Sequence, residues 1–151
     1  PATGYLGVSY TPIPDLVLEA DYQYVGWSSY KKLVFEFEKD GSTVTSPTNY
    51  RDTFILRFGA EYDYGDWQLR AGYLFDRTPV ENRYVDPLLP DANRNGLSLG
   101  FGYRLSDHLA LDMAYMFIKF DQRRVENTEV NFDGTYSSDA NLFSIDLSYS
   151  F

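Results

Sequence analysis

The chain has 151 residues, 44% of them hydrophobic and 18% aromatic (14 Tyr and 11 Phe among them), and a formal net charge of -9. The acidic balance excludes a nucleic-acid partner, because phosphate contacts need clustered Lys and Arg, and the absence of cysteine excludes disulfides and thiolate metal sites. No apolar run approaches the roughly 18 residues a membrane-crossing helix requires; a mean hydropathy of -0.38 instead fits a membrane barrel, in which only every second strand residue meets lipid.

In chain order, the first segment is the weakest: Leu6, Val8 and Tyr10 alternate with Tyr5, Gly7 and Ser9. Next, Leu16, Leu18, Ala20, Tyr22 and Tyr24 alternate with Val17, Glu19, Asp21 and Gln23. Gly26-Trp27-Ser28-Ser29 predicts a bend or bulge. Beyond it Leu33, Phe35 and Phe37 alternate with Val34, Glu36 and Glu38, so residues 16–37 are expected to run as one long strand whose outer part stands above the membrane as a rim. Phe54 to Asp63 and Trp67 to Asp76 repeat the alternation, with Arg57, Glu61 and Arg70 on the polar face. Leu97, Leu99, Phe101, Tyr103 and Leu105 alternate with Ser98, Gly100, Gly102 and Arg104. Leu109, Leu111, Met113, Tyr115 and Phe117 alternate with Ala110, Asp112, Ala114 and Met116, and residues 109–130 are a second candidate for a long rim strand. The last segment is the clearest: Phe143, Ile145, Leu147, Tyr149 and Phe151 against Ser144, Asp146, Ser148 and Ser150.

Alternation alone also fits a soluble barrel. There, bulky apolar groups fill the interior. Here Gly, Ala and Ser share the polar face with the charges, while Leu, Phe and Tyr hold the other face. That distribution predicts an all-β fold, a transmembrane antiparallel β-barrel with a wet lumen and a lipid-facing exterior. Tyr62, Tyr64, Trp67, Tyr103 and Tyr149 are expected in the periplasmic aromatic girdle, and Tyr22, Tyr24, Trp27 and Phe75 in the outer one.

Short links (Thr11–Asp15, Tyr64–Asp66, Ser106–His108) alternate with long polar ones (Asp40–Tyr50, Asp76–Asn95, Asp121–Ser138). Short turns lie in the periplasm and long loops outside, so the segment ending at Phe151 finishes on the periplasmic side. The count is seven spanning strands, the first running inward. Bacterial single-chain barrels have an even number, so residues before Pro1 are expected to have been cleaved or deleted, or to sit in another chain. If Lys31–Glu38 is a separate eighth strand, a small closed barrel is the alternative.

The residues resemble the FadL/TodX family of outer-membrane transporters of long-chain fatty acids and aromatic hydrocarbons. The resemblance covers almost the whole chain. It rests on Leu18-Glu19-Ala20-Asp21 followed by Gly26-Trp27-Ser28-Ser29, on Pro47-Thr48-Asn49-Tyr50-Arg51-Asp52-Thr53, and on Leu69-Arg70-Ala71-Gly72-Tyr73 leading into Thr78-Pro79-Val80. Leu89-Pro90-Asp91 before Leu97-Ser98-Leu99-Gly100, and Gly134-Thr135-Tyr136 before the last strand, complete it. Asn95-Gly96 departs from it where a bulky ring is expected just before the strand. The resemblance implies a barrel of about fourteen strands closed by an N-terminal plug, of which residues 1–151 form the C-terminal half as a single domain. It implies passive uptake of hydrophobic small molecules such as long-chain fatty acids. A small structural or adhesive outer-membrane barrel without transport is the alternative.

On the lumen face, Arg57, Arg70 and Arg104 lie on three consecutive strands among acidic neighbours. They read either as an ion-paired ladder stiffening the barrel or as forks for a carboxylate head group. Leu74, Met116, Ile118 and Phe120 are apolar on the polar face near the outer ends of two strands, as a patch for an alkyl chain or as packing under a loop or plug. The single histidine, His108, sits in a short turn beside Asp107, which does not make a catalytic site; no enzyme activity, cofactor or metal is expected. Loop acids such as Asp86, Asp91, Asp121 and Glu126 are candidates for calcium or for cations bridging lipopolysaccharide, but read more simply as solvated. The expected partners are the lipid bilayer and lipopolysaccharide, a hydrophobic ligand, and the missing N-terminal half of the same protein or another chain. The expected location is the outer membrane of a Gram-negative bacterium.

Overall fold

The computed structural model describes all residues, 1–151. Eleven strands form: β1 (Thr3–Ile13), β2 (Leu16–Val25), β3 (Lys32–Glu36), β4 (Thr43–Pro47), β5 (Thr53–Tyr64), β6 (Trp67–Asp76), β7 (Arg94–Ser106), β8 (Leu109–Phe120), β9 (Arg123–Val125), β10 (Gly134–Tyr136) and β11 (Asp139–Tyr149). Seven of them make one antiparallel sheet in the order β1-β2-β5-β6-β7-β8-β11. These are the seven segments whose alternation marks them as spanning, and each is 10 to 13 residues long, enough to cross a bilayer when tilted.

Register turns alternation within strands into two continuous faces. On one, Tyr10, Leu18, Ala60, Ala71, Leu99, Tyr115 and Phe143 follow one another across all seven strands. On the other, Gly59, Gly72, Ser98 and Met116 do the same across the central four. A slip of one residue anywhere would exchange the two faces. Nothing covers the bulky face: Leu97, Leu99, Ile145 and Leu147 are each more than 60% exposed. Only 11 of the 151 residues are buried, so this is no soluble barrel with a dry interior. The greasy face has lipid as its solvent.

Two lipid-facing tyrosines are paired with asparagines of the neighbouring strand, which suits a hydrocarbon surround. The Tyr73 hydroxyl donates to Asn95 and the Tyr115 hydroxyl to Asn141, each at 2.6 Å. Trp67 packs on Tyr103 at 4.3 Å and on Phe101 at 4.9 Å near the periplasmic turns. Tyr22, Phe54 and Phe75 form a row at the outer end, with centroids 5.9 and 6.0 Å apart.

The periplasmic links shrink to Pro14-Asp15, Gly65-Asp66 and Asp107-His108. Gly65 adopts φ +61°, a left-handed conformation that a two-residue hairpin turn needs.

Two expectations are corrected. Residues 16–37 and 109–130 are not continuous strands. β2 stops at Val25, because Gly26 (φ -78°, ψ 62°) leaves the extended region and opens a 3-10 turn over Trp27–Ser29. Asp52 pins that turn, accepting the Ser28 N–H and the Tyr24 hydroxyl, both at 2.7 Å. The chain then folds back as the hairpin β3–β4, a sheet of its own. Likewise β8 stops at Phe120, and β9 turns back to pair with β10. Lys32–Glu36 is therefore a separate strand, but it does not join the seven-stranded sheet, and no small closed barrel forms: β1 and β11 remain edges.

The one true apolar core lies in the outer loops. Val85 and Val125 are 1% exposed and Val80 is 6% exposed, flanked by Tyr50, Tyr84 and Tyr136. It joins the 77–93 loop to the β9–β10 hairpin. The Asp133 carboxylate holds that hairpin's turn by accepting the N–H groups of Asn127 (2.8 Å) and Thr128 (2.9 Å).

Candidate functional site

The polar face carries a groove of about 410 Å³ on its central strands. Its floor is made of the smallest residues available: Gly59 on β5, Gly72 on β6, Ser98 and Gly100 on β7, and Ala114 on β8. Glu19, Glu61 and Arg70 stand at its sides. The small floor and the long walls have one cause. Side chains from neighbouring strands spread sideways over positions that have no side chain of their own, as Arg70 does over Gly100 and Asp112 over Gly102.

Arg70 is the hub. Its guanidinium donates to Glu61 at 2.6 Å, to Asp112 at 2.7 Å, and to Gln68. The three arginines read from sequence as a possible ladder do not form one. Arg57 faces Asp21 in register, yet its bond goes to Gln23 at 2.8 Å, and Gln23 in turn donates to the Tyr5 hydroxyl at 3.0 Å. Arg104 lies nearer the periplasm in a separate hollow with Asp63, Asp66 and Asp112 and takes part in no ion pair.

Outward of Arg70, three of the four apolar residues gather. Leu74 and Ile118 flank Gly96 in register. A Cβ on Gly96 would collide with the Met116 methyl group and touch Leu74, so these two side chains close over the glycine. Phe120 is set apart: the Arg94 guanidinium lies 5.5 Å from its ring centroid and pairs with Asp76 at 3.1 Å. The lumen face thus runs from a charged outer end, through an apolar patch, to a charged centre. The absence of a ring at Asn95-Gly96, read from sequence as a departure, leaves the space that Leu74 and Met116 fill.

Sequence reasoning placed Gln23, Gln68 and Asp76 on the polar face but missed Arg94 and the pairings Arg57–Gln23, Arg70–Gln68 and Asp76–Arg94. The available signal was the glycine pattern of β7: Gly96, Gly100 and Gly102 mark where long side chains of β6 and β8 must meet. The loop acids serve the loops. Asp86 accepts the Leu88 N–H at 2.8 Å, Asp91 accepts the Thr78 hydroxyl at 2.6 Å, and no cluster of acids or His capable of holding a metal forms. His108 stays in its turn, its ring 6.3 Å from that of Tyr149.

An open antiparallel sheet with one lipid-facing side, one charged and glycine-rich side, two-residue turns at one end and packed loops at the other defines a segment of an outer-membrane β-barrel. The family described as "Outer membrane protein transport protein (OMPP1/FadL/TodX)" matches residues 1–151, and the chain belongs to it. It superimposes on a FadL homologue of Pseudomonas aeruginosa with a TM-score of 0.87 and 29% identity, covering 97% of this chain and 35% of that one. It superimposes on the CymD monoaromatic hydrocarbon channel with a TM-score of 0.70 and 26% identity, over 100% of this chain and 36% of that one. It is 29% identical over 150 residues to outer membrane protein P1 of Haemophilus influenzae, covering 90% of this chain and 32% of that protein. The chain therefore spans about a third of the length of these relatives. Its fold is part of a transmembrane β-barrel, and its place is the outer membrane of a Gram-negative bacterium.

Proposed function

We propose that this chain forms one side of a channel for passive uptake of hydrophobic small molecules, long-chain fatty acids among them, and that it performs no enzymatic chemistry. The observation that carries the reading is the apolar patch of Leu74, Met116 and Ile118, placed on an otherwise polar lumen face just outward of the Arg70 cluster. An alkyl chain finds apolar contact there while its head group points to arginine. Arg70 is already shared by Glu61 and Asp112, so the carboxylate falls to Arg57, whose partner is neutral, or to Arg104, which has none. CymD, a monoaromatic hydrocarbon channel, agrees with this class of cargo. Residues 1–151 act as a single domain, the C-terminal part of a barrel of about fourteen strands. The further strands pair the edges β1 and β11, which lipid does not tolerate open.

The test is uptake of radiolabelled oleate by cells whose only such channel is the intact barrel. Met116→Asn with Leu74→Asn is expected to lower the initial rate several-fold, and Arg104→Gln or Arg57→Gln to weaken oleate binding more than toluene binding. Folded variants with unchanged uptake would rule out the Leu74–Met116 patch as the route, and no oleate uptake by cells carrying the unaltered barrel would favour a structural barrel without transport.

A further inference from the structure

The outer rim holds a second feature that the transport reading does not use. Although the protein is acidic overall, a hollow of about 540 Å³ at the outer ends of β5 and β6 gathers four guanidinium groups, Arg51, Arg77, Arg83 and Arg123, against two carboxylates, Asp52 and Glu81. The acids are committed. Asp52 is held by Ser28 and Tyr24, and Glu81 by Arg51. Arg83 pairs with Glu129. Arg77 and Arg123 have no carboxylate partner.

Arg123 is half buried and held in place by its bonds to the loop. Its donors bond only neutral oxygens, the Asp91 carbonyl at 2.7 Å, the Asn82 side-chain oxygen at 2.9 Å and the Val80 carbonyl at 2.5 Å. Burial pushes its pKa below the ordinary arginine value, with Arg51 adding a repulsive contribution after the opposing pull of Asp91. An anion between them would relieve that repulsion. Arg77 fixes the level in the membrane: its guanidinium lies 5.9 Å from the centroid of Phe54, a member of the lipid-facing row Tyr22–Phe54–Phe75. The hollow thus borders the outer aromatic girdle, at the level of the outer head groups.

We propose that Arg77 and Arg123, with the Glu81-paired Arg51 beside them, form a binding site for the phosphate of an outer-leaflet glycolipid, whose acyl chains lie against the Tyr22–Phe54–Phe75 row. Phosphate suits paired guanidinium forks. A fatty-acid carboxylate does not suit this hollow, because only one of its lining residues, Val80, is hydrophobic and an alkyl chain would find no wall. The glycolipid keeps its chains in the bilayer and presents only its head.

The experiment measures binding to the intact barrel in detergent by native mass spectrometry. Three probes are used: diphosphoryl lipid A, the same lipid A with both phosphates removed, and inorganic phosphate. Diphosphoryl lipid A is expected to bind at least about tenfold more tightly than its dephosphorylated form, and Arg77→Gln and Arg123→Gln each to weaken it by about tenfold. Arg77→Lys is expected to retain most of the binding. Equal binding of the two lipid A forms by the unaltered barrel overturns the site, whether or not the Gln variants fold. Folded Gln variants with unchanged affinity also overturn it. Inorganic phosphate binding as tightly as diphosphoryl lipid A overturns the glycolipid as its source. Oleate uptake tests the transport reading separately.

Discussion

Arg70 on β6 and Asp112 on β8 meet at 2.7 Å although a whole strand, β7, lies between them. The contact exists because β7 offers Gly100 and Gly102 where side chains would otherwise stand. A Cβ at Gly102 would come 2.9 Å from the Asp112 carboxylate, and one at Gly100 would come 3.1 Å from Cβ of Arg70. The sheet has thereby made a lateral tie over three strands out of two missing side chains.

Breaking that tie is expected to be felt as coupling. Both groups are a little over a third exposed, so solvent screening limits the pair to about 1 kcal/mol in a double-mutant cycle of Arg70→Gln and Asp112→Asn. Gly102→Leu is expected to abolish the coupling by displacing Asp112. Urea unfolding of the intact barrel in lipid vesicles, followed by tryptophan fluorescence, provides the measurement; additivity of the two single variants would refute the tie.

The two faces of one strand should answer oppositely to the same substitution. Leu99 points to lipid and Ser98, beside it, to the lumen. Leu99→Lys is expected to destabilise the folded barrel by about 2–4 kcal/mol, and Ser98→Lys by much less. Equal losses in vesicle refolding titrations would contradict the assignment of the faces.

The outer loops have their own core and should loosen independently of the sheet. Val85→Ala and Val125→Ala each remove two methylene equivalents from a site 1% exposed, a loss of about 1–2 kcal/mol. Protease cleavage within residues 77–93 on intact cells should accelerate, while amide exchange in the β5–β8 region stays slow. Exchange rising equally in loops and sheet would show that the two are one cooperative unit.

Acid should release the β9–β10 turn. Backbone N–H bonds from Thr128 and Asn127 hold the Asp133 carboxyl below its ordinary pKa. A depressed folded value means stabilisation that is complete above the unfolded pKa of about 4 and lost as pH falls through the folded one. Amide exchange at Asn127 and Thr128 is expected to accelerate on acidification below about pH 4 more than the intrinsic rate predicts, and Asp133→Asn to remove that pH dependence. An unchanged profile in the variant would assign the effect to another group.

Period-two alternation in seven segments, short and long links in strict succession, and small residues segregated to the charged side determined a lipid-facing barrel wall with a direction for every strand. These are one-dimensional facts, since the pleat sends successive side chains to opposite faces whatever the rest of the molecule does. The tertiary structure decided the matters that depend on distance between strands or loops. Sequence placed Arg57, Arg70 and Arg104 on one face, but only register, the sideways reach of each side chain and the glycines of β7 decide that Arg70 takes two carboxylates, Arg57 takes Gln23 and Arg104 takes no acid. Alternation likewise continued through residues 16–37, because it reports local pleating and not the strand's partner; the Asp52 bonds to Ser28 and Tyr24, made from far along the chain, turn that stretch into a hairpin. The Val80–Val85–Val125 core, joined across about forty residues of sequence, has no period to reveal it and follows from folding alone.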